Sequence, residues 1–344
     1  MSSRPAVSEI RRSNPQRLVA LFSGGLDSML AIRVMQRQGF EVEALCVLVP
    51  YGLDRHEVAK VAGRLGVRLT AVPVGRDYSY LLRQPEYGYG KAANPCIDCR
   101  LYMVREAARF REMLGACAVI SGEVLGQRPM SQKRHQLGLI ERMSGLRGRL
   151  LRPLCAKRLP PTIPEREGIV DRSKLYDFAG RRRAELTELA AELGISELIG
   201  PSPGAGCALT EPEFAPRIRD LWTHQDSLSQ DDYRLLRFGR HYRFPDGAKA
   251  VFGRDEQENT ALRRFAVAKG AENAHVVEGI TFPGPAGLVL HPAGEESLRR
   301  AAGLIRAMAR IGDGPETFLL TSPCGMSLEV VWTEESFAES ATRL

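Results

Sequence analysis

Apolar runs of strand length alternate with stretches of helical spacing through the first half of the chain. Residues 18–22 are continuously apolar and lead into a helix-spaced segment at 29–38; a second apolar run covers 42–49, helical spacing returns at 54–65, and a third run covers 67–74. A longer helix is expected at 101–114, followed by strands at 117–121 and 149–154. Short apolar runs separated by helices are the pattern of a parallel sheet covered on both faces, so a doubly wound α/β domain is expected. Such sheets bind ligands beyond the carboxyl ends of their strands. Ser23 ends the first strand and Ser121-Gly122-Glu123 ends a later one, so both should face one crevice.

The pattern changes after residue 154. Pro160, Pro161 and Pro164 break it, and a basic helix containing Arg181-Arg182-Arg183 is expected at 176–193. A Gly/Pro-rich loop at 200–206 then delivers Cys207, a helix is expected at 213–221, and the polar stretch 224–232 reads as a linker. The last hundred or so residues read as short alternating strands, many turns and one clear helix at 295–309, a smaller α+β domain. The expected layout is therefore a flexible polar lead at 1–16, a main domain at 17–223, the linker, and a second domain at 233–335. No internal repeat or low-complexity tract is visible.

Composition adds limits. With 344 residues, 44% hydrophobic and 26% charged, the chain has the make-up of a soluble globular protein with room for two cores. No apolar run reaches membrane-spanning length and the first residues lack a signal-peptide layout, so a cytoplasmic protein without a membrane partner is expected. The seven cysteines are then free thiols rather than a disulfide framework. The net charge of +7 is uneven: residues 100–185 hold 19 Lys/Arg against 9 Asp/Glu. Such a concentration suits a polyanion, and solvated helix faces are the competing explanation.

The sharpest chemical signal is Ser23-Gly24-Gly25-Leu26-Asp27-Ser28, between an apolar strand and a helix. Glycines let backbone N–H groups approach an anion, two hydroxyls add donors, and the helix aims its positive end at the same place. Asp27 would repel phosphate unless Mg²⁺ lies between them. The string lacks the spacing and the lysine of the G-x-x-x-x-G-K-[ST] loop. It resembles the SGGxDS loop of the PP-loop ATP pyrophosphatases, which adenylate a carbonyl or carboxyl oxygen and release pyrophosphate. That resemblance implies an adenine nucleotide alpha hydrolase-like fold, with ATP on Ser23, Gly24, Gly25, Asp27 and Ser28.

Cys96 and Cys99 stand three apart at an expected helix start, where the helix dipole favours thiolate, and Cys207 follows its Gly/Pro-rich loop. Cys46, Cys117 and Cys155 lie in apolar runs and read as buried thiols, and Cys324 is distant in sequence. Three loop cysteines without a fourth suit an iron–sulfur cluster with one open iron; a zinc site with an outside ligand and three unrelated thiols are the alternatives.

Together these segments resemble the PP-loop tRNA thiolation enzymes, the 4-thiouridine synthetases and 2-thiouridylases. Asn94–Cys99 is similar to their NPDxxC or CxxC segment, Ser121–Gln127 with Ser131-Gln132 to TGESLGQ…SQ, and Arg152-Pro153-Leu154 to their RPL strand end. The likeness covers about residues 15–222. It implies Asp27, Cys99 and Cys207 as catalytic residues, Gly122 and Gln127 beside the nucleotide, and Cys96, Cys99 and Cys207 as ligands of a 4Fe–4S cluster. Lys91, Arg100, Gln127, Ser131 and Gln132 are further candidates for nucleotide or RNA contact. The sequence departs from the 4-thiouridine synthetases in showing no THUMP stretch ahead of the loop. It departs from many 2-thiouridylases in having cysteine at position 96, where aspartate is common.

A second basic and aromatic stretch runs from Arg234 to Arg254, with six Lys/Arg and one acid. Cations interleaved with rings suit RNA, while strand alternation gives the same pattern with no ligand. The motif resembles an NFACT-type RNA-binding domain over residues 234–333. The expectation is an ATP- and Mg²⁺-dependent tRNA uridine thiolase with tRNA and a sulfur donor as partners. An amidotransferase or ligase acting on a small carboxylate, and a non-catalytic RNA- or ribosome-binding protein, are the rivals.

Overall fold

The computed structural model describes residues 14–49, 51–52, 55–199, 207–225, 228–269, 274–290, 293–311, 315–322, 326–332 and 342–344. The chain divides between Thr210 and Glu211 into two compact units.

The larger unit runs in the order β1 (Asn14–Leu21), α1 (Leu26–Gln36), β2 (Glu41–Leu48), α2 (Arg55–Leu65), β3 (Arg68–Pro73), α3 (Arg76–Arg83), α4 (Cys96–Leu114), β4 (Ala116–Ser121), α5 (Arg134–Met143), β5 (Leu150–Leu151), α6 (Ile163–Arg166) and α7 (Ala184–Glu192). Its five strands form one sheet in the order β3-β2-β1-β4-β5, with every neighbouring pair parallel. The expected doubly wound α/β architecture is present. Period-two alternation on β1 explains how both faces are covered. Leu18 and Ala20 join one core with Leu30, Ile32 and Leu189, while Val19 and Leu21 join the other with Val104, Ala107 and Ile140. From β1 the chain runs outward through β2 to β3, then resumes on the other side of β1 at β4. That reversal opens a crevice between the ends of β1 and β4.

Three local readings differ from the structure. Asn14 to Gln16, expected in the polar lead, belong to β1, and Asn14 pairs with Ala116. The strand expected at 149–154 narrows to Leu150–Leu151. The basic helix expected at 176–193 exists only as Ala184–Glu192. Its first half is extended instead: the N–H groups of Tyr176, Phe178 and Gly180 donate to the carbonyls of Pro153, Leu154 and Leu125. A backbone already paired in this way cannot also make helical bonds. Arg181 to Arg183 therefore lie on an exposed connection pinned to the turn after β4 by the Leu125–Ala179 bridge.

The smaller unit contains α8 (Phe214–His224), α9 (Gln230–Leu235), β6 (Arg240–Arg243), β7 (Lys249–Phe252), α10 (Glu256–Lys269), β8 (Ala274–Gly279), β9 (Gly287–Leu290), α11 (Glu295–Ala309), β10 (Glu316–Thr321), β11 (Ser327–Trp332) and β12 (Thr342–Arg343). Its strands form a separate antiparallel sheet ordered β11-β10-β8-β9-β7-β6-β12. The α+β expectation holds, and α11 has the expected bounds. Helix α10 went unread, although Asn259, Leu262 and Ala266 bury at helical spacing. The stretch read as a linker contains the end of α8 and the start of α9, where Ser229 and Asp232 form a capping box.

Most of the basic stretch in this unit is neutralised from within. Asp220 on α8 accepts two hydrogen bonds from Arg243, at 2.9 and 2.7 Å, and one from Lys249 at 2.9 Å. Arg234 pairs with Asp231, and Arg254 pairs with Glu258. His241, Phe244 and Phe252 are buried. Strand alternation with one internal face accounts for this pattern.

Candidate active site

The loop from Ser23 to Ser28 closes on itself. Ser28 Oγ donates to the Gly25 carbonyl at 2.8 Å, and the Gly25 N–H donates to Ser23 Oγ at 3.4 Å. Gly24 makes the turn with φ +74°. Gly25 caps α1 without a side-chain acceptor, so that helix start offers its N–H groups to an anion. Helix α1 begins at Leu26, earlier than the sequence suggested, which places Asp27 in its first turn.

Gly122, at the end of β4, lies against this loop. A Cβ there would stand 2.3 Å from the Asp27 carbonyl carbon and oxygen and 2.5 Å from the Ser28 nitrogen. Only glycine lets the end of β4 approach the first turn of α1 so closely. Burial pushes the Asp27 carboxyl above its ordinary range, and the Gln127 amide, Arg183 and Arg128 oppose that rise. Gln127 Nε2 falls short of a hydrogen bond to that carboxyl and, among the described residues, is buried without a partner. An N–H donor already desolvated and unpaired is suited to donate to a ligand oxygen.

Next to Gly122, Glu123 binds two guanidiniums. Its carboxylate accepts from Arg100 at 2.8 Å and from Arg152 at 2.9 Å, with Ser121 Oγ donating at 3.0 Å. Burial alone would raise this carboxyl, but Arg100 and Arg152 outweigh it and hold it at about 2. Arg100 stands one residue after Cys99, so the triad ties the start of α4 to the ends of β4 and β5. Sequence reading offered Arg100 for nucleotide or RNA contact and missed Glu123 as its partner.

The thiols lie on two short segments. Cys96 and Cys99 occupy the first turn of α4, and Asp98 between them accepts the N–H groups of Glu86 at 2.8 Å and Tyr87 at 3.2 Å. Cys207 starts a turn in which its carbonyl accepts from the Thr210 N–H at 2.8 Å and the Thr210 hydroxyl at 2.6 Å. That turn docks through the Ala93 N–H, which donates to the Leu209 carbonyl at 3.1 Å, and through fully buried Leu209. Ala93 is three residues from Cys96, which accounts for the meeting of segments distant in sequence. Cys96 Sγ lies 3.1 Å from Ser131 Oγ. The Gln132 side chain accepts the Arg128 N–H at 3.0 Å and so shapes the same loop. Lys91 is exposed nearby.

Two tyrosines complete this neighbourhood. Tyr78 Oη lies 3.1 Å from Cys99 Sγ, Tyr51 Oη lies 3.9 Å from it, and the two hydroxyls meet each other. Neither was singled out by sequence. The available signal was position: Tyr51 follows β2 at the carboxyl edge, and Tyr78 is the buried aromatic of α3.

The thiolate expected from the helix start does not hold for Cys99. Burial pushes Cys99 above its ordinary range despite the opposing Tyr78 hydrogen bond. It pushes Cys207 up to about 12, with Cys99 and Cys96 adding to the rise and Arg128 opposing it. Desolvation exceeds the dipole effect here. By donor chemistry three cysteines suit a cluster with one open iron, and equally a zinc ion with an outside fourth ligand. Among the described residues no three Cys, His, Asp or Glu side chains stand in an arrangement that would hold a metal ion, so ligation requires the thiols to draw together. Cys46, Cys117 and Cys155 are buried free thiols, and Cys324 lies outside the described residues. Among the described residues no helix is long and apolar enough to cross a membrane.

Residues 14–158 match the family model described as ThiI, thiamine biosynthesis protein. The chain is 26% identical over 141 residues to the tRNA-specific 2-thiouridylase MnmA of Methylobacillus flagellatus, covering 37% of this chain and 38% of that protein. It is 29% identical over 164 residues to the probable tRNA sulfurtransferase of Thermococcus kodakarensis, covering 46% of this chain and 40% of that one. The chain thus spans about two fifths of the length of these curated relatives. A 4-thiouridine synthetase solved in complex with RNA and bound ATP aligns with a TM-score of 0.41 at 23% identity, covering 64% of this chain and 52% of that chain. The larger unit is similar in sequence to PP-loop tRNA thiolation proteins.

Proposed function

We propose that this protein replaces a uracil oxygen of tRNA with sulfur at the expense of ATP, giving 4-thiouridine or 2-thiouridine. The observation that carries this reading is Glu123, which follows the Gly122 packed against Asp27 and Ser28 and accepts at 2.8 Å from Arg100, the residue after Cys99. One buried carboxylate thereby links the nucleotide loop to the cysteine-bearing start of α4.

In this reading the ATP phosphates rest on the N–H groups and hydroxyls of Ser23 to Ser28, and Asp27 meets them through Mg²⁺. Gln127 Nε2 supplies a donor that finds no hydrogen-bond acceptor among the described residues. A base extruded from its stack enters the crevice between β1 and β4. Its oxygen attacks the α-phosphate, pyrophosphate leaves, and the adenylated oxygen becomes a leaving group. A sulfur nucleophile then displaces AMP. Cys96, Cys99 and Cys207 are assigned as the sulfur-handling set and as ligands of a 4Fe–4S cluster, which when bound supplies an open iron able to carry sulfide. Cys207 or Cys99 would carry the persulfide on the competing route. Burial pushes both thiols above their ordinary range in the cluster-free protein, so loading a cluster on them releases protons.

The smaller unit is given an accessory role in RNA retention. That role rests on sequence resemblance to an NFACT-type domain, because Asp220 already engages Arg243 and Lys249. A carboxylate-activating ligase would leave the three cysteines without a use.

Two measurements test the reading. Mass spectrometry of tRNA nucleosides from cells lacking the protein should show the loss of one thiolated uridine, and an unchanged set would overturn it. Anaerobically purified protein should contain iron and acid-labile sulfide, lost on Cys96→Ala, Cys99→Ala or Cys207→Ala; iron-free protein that still thiolates would leave the persulfide route.

A further inference from the structure

We propose that a cleft at the β5 edge of the larger unit grips the sugar–phosphate backbone of RNA. The proposal rests on the functional reading above and deepens it. The cleft measures about 620 Å³ and lies between α5 and the chain leading from β5 through α6. Its floor is apolar, with Leu137, Leu151 and Leu159 among the lining side chains.

Its walls carry five arginines and only two carboxylates, and both carboxylates are already engaged. Glu141 accepts the Gly148 N–H at 2.7 Å and faces Arg152 at 3.4 Å. Glu165 accepts the Thr162 N–H and hydroxyl at 2.7 Å each, and pairs with Arg172. Arg152 points inward to Glu123. The other four, Arg134, Arg142, Arg147 and Arg166, are exposed. Arg134 and Arg166 each donate to a backbone carbonyl, of Arg158 and Pro161 respectively. Among the described residues none of the four has an acid partner. Four uncompensated guanidiniums around one apolar-floored cleft are repelled by each other and attracted by phosphate, which the planar fork binds bidentately.

Two features favour an RNA backbone over an isolated phosphate. The cleft spans several guanidiniums on separate elements, which suits repeating charges more than a single one. Arg152 also lines the cleft while holding Glu123, the residue after Gly122, so this cleft borders the strand ends that form the nucleotide crevice. A strand held here would present a neighbouring nucleotide toward that crevice.

The test uses the full chain and an unmodified tRNA transcript, with affinity measured by fluorescence anisotropy from about 50 to about 200 mM salt. The variants are the double charge reversal Arg142→Glu with Arg147→Glu, and the milder Arg142→Gln with Arg147→Gln; all four changes are on exposed side chains. The reversal should weaken tRNA binding at least about tenfold and flatten the salt slope by roughly one to two, as expected for losing about two phosphate contacts. The milder pair should fall between, and ATP binding measured separately should be unchanged. If tRNA binds the wild-type protein and both variants with the same affinity and slope, the cleft is not the grip and the thiolation reading stands. If the wild-type protein binds ATP but retains no tRNA, the thiolation reading itself fails. Competition by AMP or inorganic phosphate as effective per phosphate as tRNA would make this a site for a small phosphate, and preferential competition by polyglutamate would make it a protein contact; either overturns the proposal.

Discussion

Glu123 and Arg152 face each other at 2.9 Å with each side chain only 2% exposed. Arg100 approaches the same carboxylate from the start of α4 at 2.8 Å. A buried pair of this kind is weak evidence for net stability, but losing one member leaves charge stranded in a poor dielectric.

Glu123→Gln should therefore destabilise the larger unit by about 3–5 kcal/mol, the range for breaking a buried ion pair. Chemical denaturation monitored by circular dichroism measures it. A loss below about 1 kcal/mol, the range of surface pairs, would show that water reaches the triad.

The same carboxylate makes an acid-stability prediction. Its folded value of about 2 lies below the ordinary 4.5, so its contribution is complete above about 4.5 and disappears as pH falls toward 2. Stability of the wild-type protein should drop through that window, and Glu123→Gln should show a shallower drop. Parallel curves for the two proteins would contradict the assignment.

Gly122→Ala tests the approach of the end of β4 to the first turn of α1. Its methyl group would meet Asp27 and Ser28 backbone rather than a yielding side chain. ATP affinity should fall at least about tenfold, with a stability loss of about 1–3 kcal/mol from overpacking. Calorimetric titration that finds unaltered ATP binding would place the nucleotide elsewhere.

Asp27→Asn should divide stability from function. Burial raises the Asp27 carboxyl, so near neutral pH its ionised form is less favourable in the folded protein than in the unfolded chain. Removing that charge should raise the melting temperature of the nucleotide-free protein while abolishing Mg²⁺-dependent, tRNA-stimulated ATP–pyrophosphate exchange. A variant that is both less stable and still active would contradict both halves.

Asp220→Ala concerns the smaller unit. It removes the shared partner of Arg243 and Lys249, and should loosen β6 and β7 by about 3–5 kcal/mol. Hydrogen exchange should show the loss there, with β1 and β4 unaffected. Uniform loss across both sheets would mean that the units unfold as one.

The parallel sheet was legible because β1, β2 and β4 are apolar enough to be buried on both faces, and the nucleotide loop because its glycines and serines sit at a strand end. Residues 176–183 misled because tyrosine, phenylalanine and arginine spacing fits a helix. The hydrogen bonds that hold them extended go to Leu125, Pro153 and Leu154, partners that no local pattern reveals. Tyr51 and Tyr78 were invisible for the same reason, since their contact with Cys99 joins three separate elements. Glu123 could have been found from the two arginines near it only by knowing that β4 and β5 are neighbours. The basic stretch in the smaller unit was read in both ways, and Asp220, from a different element, decides most of it.

The Leu209 turn bears on how the larger unit can be excised for study. A recombinant fragment ending near residue 199 would keep the whole parallel sheet and the Ser23–Ser28 loop, yet would lack the third thiol and the leucine that seats it. Such a fragment should load ATP and stall there, while one carried through Thr210 should retain all three cysteines of the proposed sulfur-handling set.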